Sequence, residues 1–178
     1  MEDVPEGAFI KTGAHWFRSK SIESKENIMN PREIVQALLD SVQRGDFQKA
    51  SFLVSKDCQF RGPLPEFIRR EVWMGINRNL KKACPNLDYH FHVDRVDGLN
   101  GHLVKISAEL KGTHSCVLDL SPLGLGVTPA TNKSFATPRE HVKVTIKDSK
   151  VASWVVEPIE GGGLMGILGQ LGIAAPAI

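Results

Sequence analysis

The chain reads as an α+β domain in which three amphipathic helices precede a strongly curved antiparallel β-meander. Three observations predict this. Apolar residues recur at helical spacing in the first part of 30–84, alternation between turn signals fills 88–157, and the glycine-rich stretch after 160 carries Leu164, Ile167, Leu168 and Leu171. That last segment is a short apolar helix placed as a plug, which is needed where a curved sheet encloses a cavity kept from water.

The elements follow in order. Residues 1–29 form a polar N-terminal arm with the apolar clusters Ala8-Phe9-Ile10 and His15-Trp16-Phe17. It either docks through Trp16 and Phe17 or stays disordered, as termini often do. The domain spans 30–173 and leaves a tail at 174–178. Asn30 is an N-cap with Pro31 at the first helical position and Glu33 at the third; Ile34, Ala37, Leu38 and Val42 then make the apolar stripe, and Gly45 stops the helix. Asp46 caps a second short helix with Phe47, Ala50, Phe52 and Leu53, ending near Ser55. Segment 57–61 is a short extended edge that stops at Gly62-Pro63. A third helix runs from after Pro65 to near Cys84 on a stripe of Phe67, Ile68, Val72, Trp73, Ile76 and Leu80, and Pro85-Asn86 ends it. Strands are expected over 88–97, over 102–120 across Gly112, over 138–147 and over 150–157, with a long Pro/Gly/Thr-rich loop at 121–137.

At 178 residues with 42% hydrophobic composition, the chain suits one hydrophobic core and not two. Its net charge of +2, from 22 basic and 20 acidic residues, sets up no strong field, so neither nucleic acid nor a membrane surface is expected as a partner. Three cysteines (Cys58, Cys84 and Cys116) without C-x-x-C spacing form neither a disulfide framework nor a metal signature. With the acidic leader and the lack of a long apolar run, they point to a reducing, cytoplasmic setting. Walker, G-x-S-x-G and dinucleotide fingerprints are missing.

Several short segments, in their order, resemble one family. They are Arg32–Arg44 with Gly45-Asp46; Asp57-Cys58-Gln59-Phe60-Arg61-Gly62-Pro63; Ala83-Cys84-Pro85-Asn86-Leu87-Asp88; Gly112-Thr113-His114; and Trp154 to Gly172 with its Gly-rich apolar helix. The chain is similar over 30–173 to the SnoaL-like polyketide cyclases of the nuclear-transport-factor-2-like superfamily. The resemblance implies a cone-shaped sheet around an apolar pocket, and a carboxylate that removes a proton next to a carbonyl so that the enolate closes a ring. No metal or cofactor is implied. A small apolar carbonyl compound is the implied ligand, and a homodimer through the outer sheet face is a further expectation. The rival expectation is a non-catalytic ligand-binding or interaction module. The sequence departs from the pattern in three places: Cys84 stands where Phe is common, Glu157 and Glu160 stand where the family has Asp, and the loop at 121–133 is unusual.

A base for enolate chemistry gains from an apolar setting, which raises its pKa, and the oxyanion needs a donor. Glu157, at the end of a strand beside Val155, Val156 and Pro158, is the expected catalytic base, with Glu160 in the following loop as second choice. Strand parity groups Glu157 with Val151, Ser153 and Val155, and this face is either the cavity or the solvent rim. His114 is the expected orienting donor, the alternative being a hydrogen-bonded structural histidine. Arg61, Trp73, Trp154 and His92 are the expected substrate-binding residues; for each a surface or core role stands beside it, and His90 and His92 lack a third metal ligand.

Overall fold

A computed structural model describes residues 29–62, 66–98 and 102–173. The expected arm lies outside them except for its last residue, as does the tail. Helix α1 (Pro31–Arg44) starts in a full capping box: Asn30 Oδ1 accepts from Glu33 N at 3.0 Å, and Glu33 Oε2 accepts from Asn30 N at 2.9 Å. Gly45, with φ 76°, ends it in the left-handed conformation. Asp46 caps α2 (Phe47–Leu53), which passes directly into β1 (Val54–Arg61). The expected edge at 57–61 is therefore the second half of a longer strand.

Ile68 and Arg69 make a short strand, β2, paired with Phe60 and Gln59. This delays the third helix, α3, to Arg70–Ala83 and leaves Phe67 outside it and exposed. Backbone pairing wins there because β1 presents an open edge, and Arg70 locks the corner by donating to the carbonyls of Ser51 and Val54. The remaining strands are β3 (His92–Asp97), β4 (Leu103–Ala108), β5 (Lys111–Thr113), β6 (Leu118–Asp119), β7 (Val127–Thr128), β8 (Ser134–Ala136), β9 (Glu140–Lys147) and β10 (Lys150–Val156). Helix α4 (Gly163–Leu171) follows.

The main sheet has six strands in the order β2-β1-β10-β9-β4-β3 and is antiparallel except for the β1–β10 pair. Asp148 and Ser149, with φ 50° and 56°, form the tight β9–β10 turn, the two positive angles of a type I′ hairpin. The single long strand expected over 102–120 is broken into β4, β5 and β6. The supposed loop 121–137 folds back on it as β7 and β8, with a 3₁₀ turn at Ser121–Leu123.

Curvature has a visible cause. The register slips between Val54 and Gln59 on β1, between Val93 and Arg95 on β3, and between Val151 and Ser153 on β10, while the central β4–β9 pair runs without a slip. Bulges bend and twist the strands that carry them. The flanking strands therefore wrap towards α1 and α3, and the core fills the concavity. Helix α4 closes it: Leu164, Ile167, Leu168 and Leu171 are all buried, and Gln170 clamps β8 through both N–H and C=O of Ala136 at 3.0 Å. A Cβ on Gly166 would lie 1.9 Å from the carbonyl oxygen of Gly161, so only glycine allows this approach. The convex face instead carries His92, Asp94, Lys105, His141, Lys143 and Glu157, a charged surface and not an apolar one.

Candidate active site in the sheet concavity

The concave side holds a cavity of about 80 Å³ between α3, α4 and the sheet. Most of its lining is apolar, including Trp73, Leu80, Phe91, Val142, Trp154 and Ile167. Phe60 and Trp73 stack at 4.5 Å, Trp154 leans on both at 6.3 and 5.5 Å, and Phe91 meets Trp154 edge-on at 6.5 Å. Trp73 and Trp154 are thus cavity walls within a fixed aromatic cluster.

Besides the two tryptophans, the lining residues that carry a polar side chain are Asn77, Tyr89 and Glu140. Glu140 opens β9, where the burial alternates strictly and groups it with Val142, Val144 and Ile146 on the inner face. It is 6% exposed, and burial pushes its carboxyl above the ordinary 4.5. One oxygen accepts from the backbone N–H of Gly163 at the start of α4, which offsets part of that shift. Among the described residues the other oxygen has no donor. Asn77 gives its amide to the carbonyl of Trp73 at 2.8 Å. Tyr89 is buried with its hydroxyl unpaired, and burial raises its pKa, with Cys84 adding to the effect.

Of the two faces left open for Glu157, the solvent side is the one it takes. Glu157 has a half-exposed side chain on the convex face, 3.0 Å from Lys143 Nζ, and that partner holds its carboxyl below the ordinary value. The correction has a single physical cause. The extra residue Ala152 puts both Val151 and Trp154 on the inner face, so the parity counted from Val151 is wrong beyond the bulge; Glu157 instead bonds through its N–H to the carbonyl of His141. Glu160 is exposed in the turn before α4 and does not line the cavity.

His114 is fully buried but also lies outside the cavity. Its Nδ1 accepts from Thr131 N at 3.3 Å and sits 3.1 Å from Thr131 Oγ1, while its backbone bonds to Lys133 and Asn132. Burial lowers its pKa by disfavouring the charged form, and its hydrogen bonds pin the turn leading into β8. Arg61 is exposed with its guanidinium 5.4 Å from the centre of the Phe67 ring. His92 points outwards, 3.9 Å from Asp94, and among the described residues no His/Cys/Asp/Glu group is arranged to hold a metal. The site the structure assembles therefore shares only the two tryptophans with the expected set. Glu140 had a readable signal in sequence, since it is the acid that shares strand parity with Val142, Val144 and Ile146 before the turn at Asp148.

No family model matches the chain, and no curated protein matches it by sequence. Solved structures do. A candidate polyketide cyclase from Xanthomonas campestris pv. campestris superposes with a TM-score of 0.59 at 14% identity, covering 79% of this chain and 96% of that one. A candidate SnoaL-like polyketide cyclase from Jannaschia sp. CCS1 gives 0.57 at 18% identity, covering 83% and 93%. The fold is SnoaL-like. AclR, a candidate hydroxylase from Streptomyces galilaeus, fits equally well, with a TM-score of 0.59 at 13% identity over 82% of this chain and 97% of that one. One SnoaL-like scaffold thus carries differently named proteins, and the likeness speaks for shape, not for chemistry. Among the described residues no helix is long and apolar enough to cross a membrane.

Proposed function

We propose that this chain is a cofactor-free enzyme that removes a proton beside the carbonyl of a small neutral compound, as in an intramolecular aldol cyclisation or an isomerisation. The observation that carries the reading is Glu140: a carboxylate buried in an apolar cavity, its pKa raised by that burial. A carboxylate tuned upwards is a stronger base, ready to accept a proton from carbon once ionised. The enolate then adds to a second carbonyl or is reprotonated elsewhere, and Glu140 returns the proton. None of the lining residues is Lys, Arg or His, which favours an uncharged reactive group. At about 80 Å³ the cavity suits a small molecule, or the reactive end of a larger one.

The contact between Glu140 and Gly163 N favours a second reading, in which the carboxylate only caps α4 and the cavity merely binds. Glu140→Gln separates the two, because a glutamine oxygen still accepts from Gly163 N but is no base. The probe is cyclopentanone in D₂O, with loss of its α-proton signal followed by NMR. The wild type should exchange α-protons above the buffer rate, and Glu140→Gln should lower the enzymatic rate by ~100-fold or more while binding persists. Saturable binding without exchange in the wild type would leave the binding module as the better account.

A further inference from the structure

We infer that Cys84 and Cys116 form a reversible disulfide pair, a modification site that a small-molecule disulfide such as glutathione disulfide closes by thiol–disulfide exchange. The inference is independent of the Glu140 reading. The end of α3 and the β5–β6 connection run side by side and are held at three points. Asn79 Nδ2 donates to the carbonyl of Asp119 at 2.7 Å. The carbonyl of Ala83 accepts from Ser115 N at 3.1 Å and from Cys116 N at 2.9 Å. Asn86 exchanges two hydrogen bonds with Thr113, at 2.9 and 3.3 Å. Cys84 and Cys116 sit at the middle point. The Ala83 carbonyl oxygen lies one peptide bond from Cys84 and one hydrogen bond from Cys116. Standard backbone dimensions then put the two Cα atoms no more than about 7 Å apart. That is within the reach of a disulfide.

Exposure orders the chemistry. Both cysteines are free thiols, Cys116 exposed and Cys84 fully buried, so an oxidant in solution meets Cys116 first. The Cys116 thiolate attacks one sulfur of glutathione disulfide. That S–S bond breaks, a bond between Cys116 and glutathione forms, and one glutathione leaves as its thiolate. The Cys84 thiol then gives up its proton and attacks the Cys116 sulfur, expelling the second glutathione. The protein loses two electrons and two protons, and the two released glutathione thiols carry them. Burial pushes the Cys84 thiol up to about 11, with the nearby Cys116 thiol adding to the rise, so the second step is the slow one. Cys84 lies between Leu80 and Tyr89, which both line the cavity, so the bridge ties a cavity wall to the β5–β6 connection. In a reducing compartment such a bridge is transient and redox-sensing.

In the test, the folded full chain is incubated with glutathione disulfide in mildly alkaline buffer. Its remaining thiols are blocked with N-ethylmaleimide, and non-reducing peptide mapping locates every bond. The wild type should yield a linked Cys84–Cys116 peptide, while Cys58, buried on β1, is blocked only after unfolding. Closing this loop of chain should raise the melting temperature by ~5 °C or more, and dithiothreitol should return it to the starting value. Cys84→Ser should stop at the mixed disulfide of Cys116 with glutathione. Cys116→Ser, a change at an exposed position, should take up no glutathione and form no bridge. A wild type in which Cys116 takes up no glutathione, or keeps it without passing to Cys84, overturns the inference. So does a bridge that forms only in urea, that includes Cys58, or that leaves the melting temperature no higher. Each would mean that the native fold does not bring these two sulfurs together.

Discussion

Glu140 makes a thermodynamic statement as well as a chemical one. Its carboxyl titrates above the ordinary 4.5 because it is buried. Over the window from 4.5 to the folded value, the native state holds more protons than the unfolded chain, so stability falls as pH rises through it. Glutamine cannot ionise. Melting curves from about pH 4 to about pH 8 should therefore show Glu140→Gln losing less stability towards the alkaline end than the wild type does. A variant curve as steep as the parent's would mean that Glu140 is not desolvated in solution. Glu157 has the opposite sign: Lys143 lowers its pKa, so its contribution is present above the ordinary 4.5 and is lost as pH falls through the folded value. Neutralising Glu157 should leave cavity chemistry alone, because the side chain is on the other side of the sheet.

Helix α4 has few polar groups and contributes through burial. Leu168 is 0% exposed, and truncating it leaves a hole that the surrounding strands fill only in part. Leu168→Ala should cost about 2–5 kcal/mol in urea unfolding; a loss below about 1 kcal/mol would show that the helix is a loose flap. The helix was legible in sequence because Leu164, Ile167, Leu168 and Leu171 recur at its period and glycines bracket it. The caps of α1 and α2 were legible for a similar reason, since Asn30, Glu33, Gly45 and Asp46 act on neighbours three or four residues away. The short strand β2 was not. Ile68 and Arg69 continue a helical stripe by periodicity, and only the distant edge of β1 draws them into a sheet. The breaks in the expected strand at 102–120 were hidden in the same way, because β5 and β6 are defined by partners at 134–136 and 127–128.

At the scale of the molecule, strand β1 pairs with β10 across nearly a hundred residues of chain, and the cluster of Phe60, Trp73 and Trp154 spans β1, α3 and β10. Helices, sheet and plug therefore share one core, so tryptophan emission and far-ultraviolet circular dichroism should report a single coincident unfolding transition. Separated midpoints would mean that the plug or the β5–β8 ribbon melts alone. The order of helices and strands was readable because local period and turn chemistry encode it. The candidate site was not, because it depends on which way each strand faces, and a bulge resets that count. Trp73 and Trp154 line the cavity, and the carboxylate that lines it is Glu140, not Glu157. Ala152 carries this lesson beyond one chain. Two sequences that trace the same cone but bulge at different points fall out of phase, and an alignment without a gap at Ala152 matches inward residues of one to outward residues of the other from there onwards. Equivalent acids on such scaffolds are found by the strand face they occupy, not by their distance from a shared tryptophan.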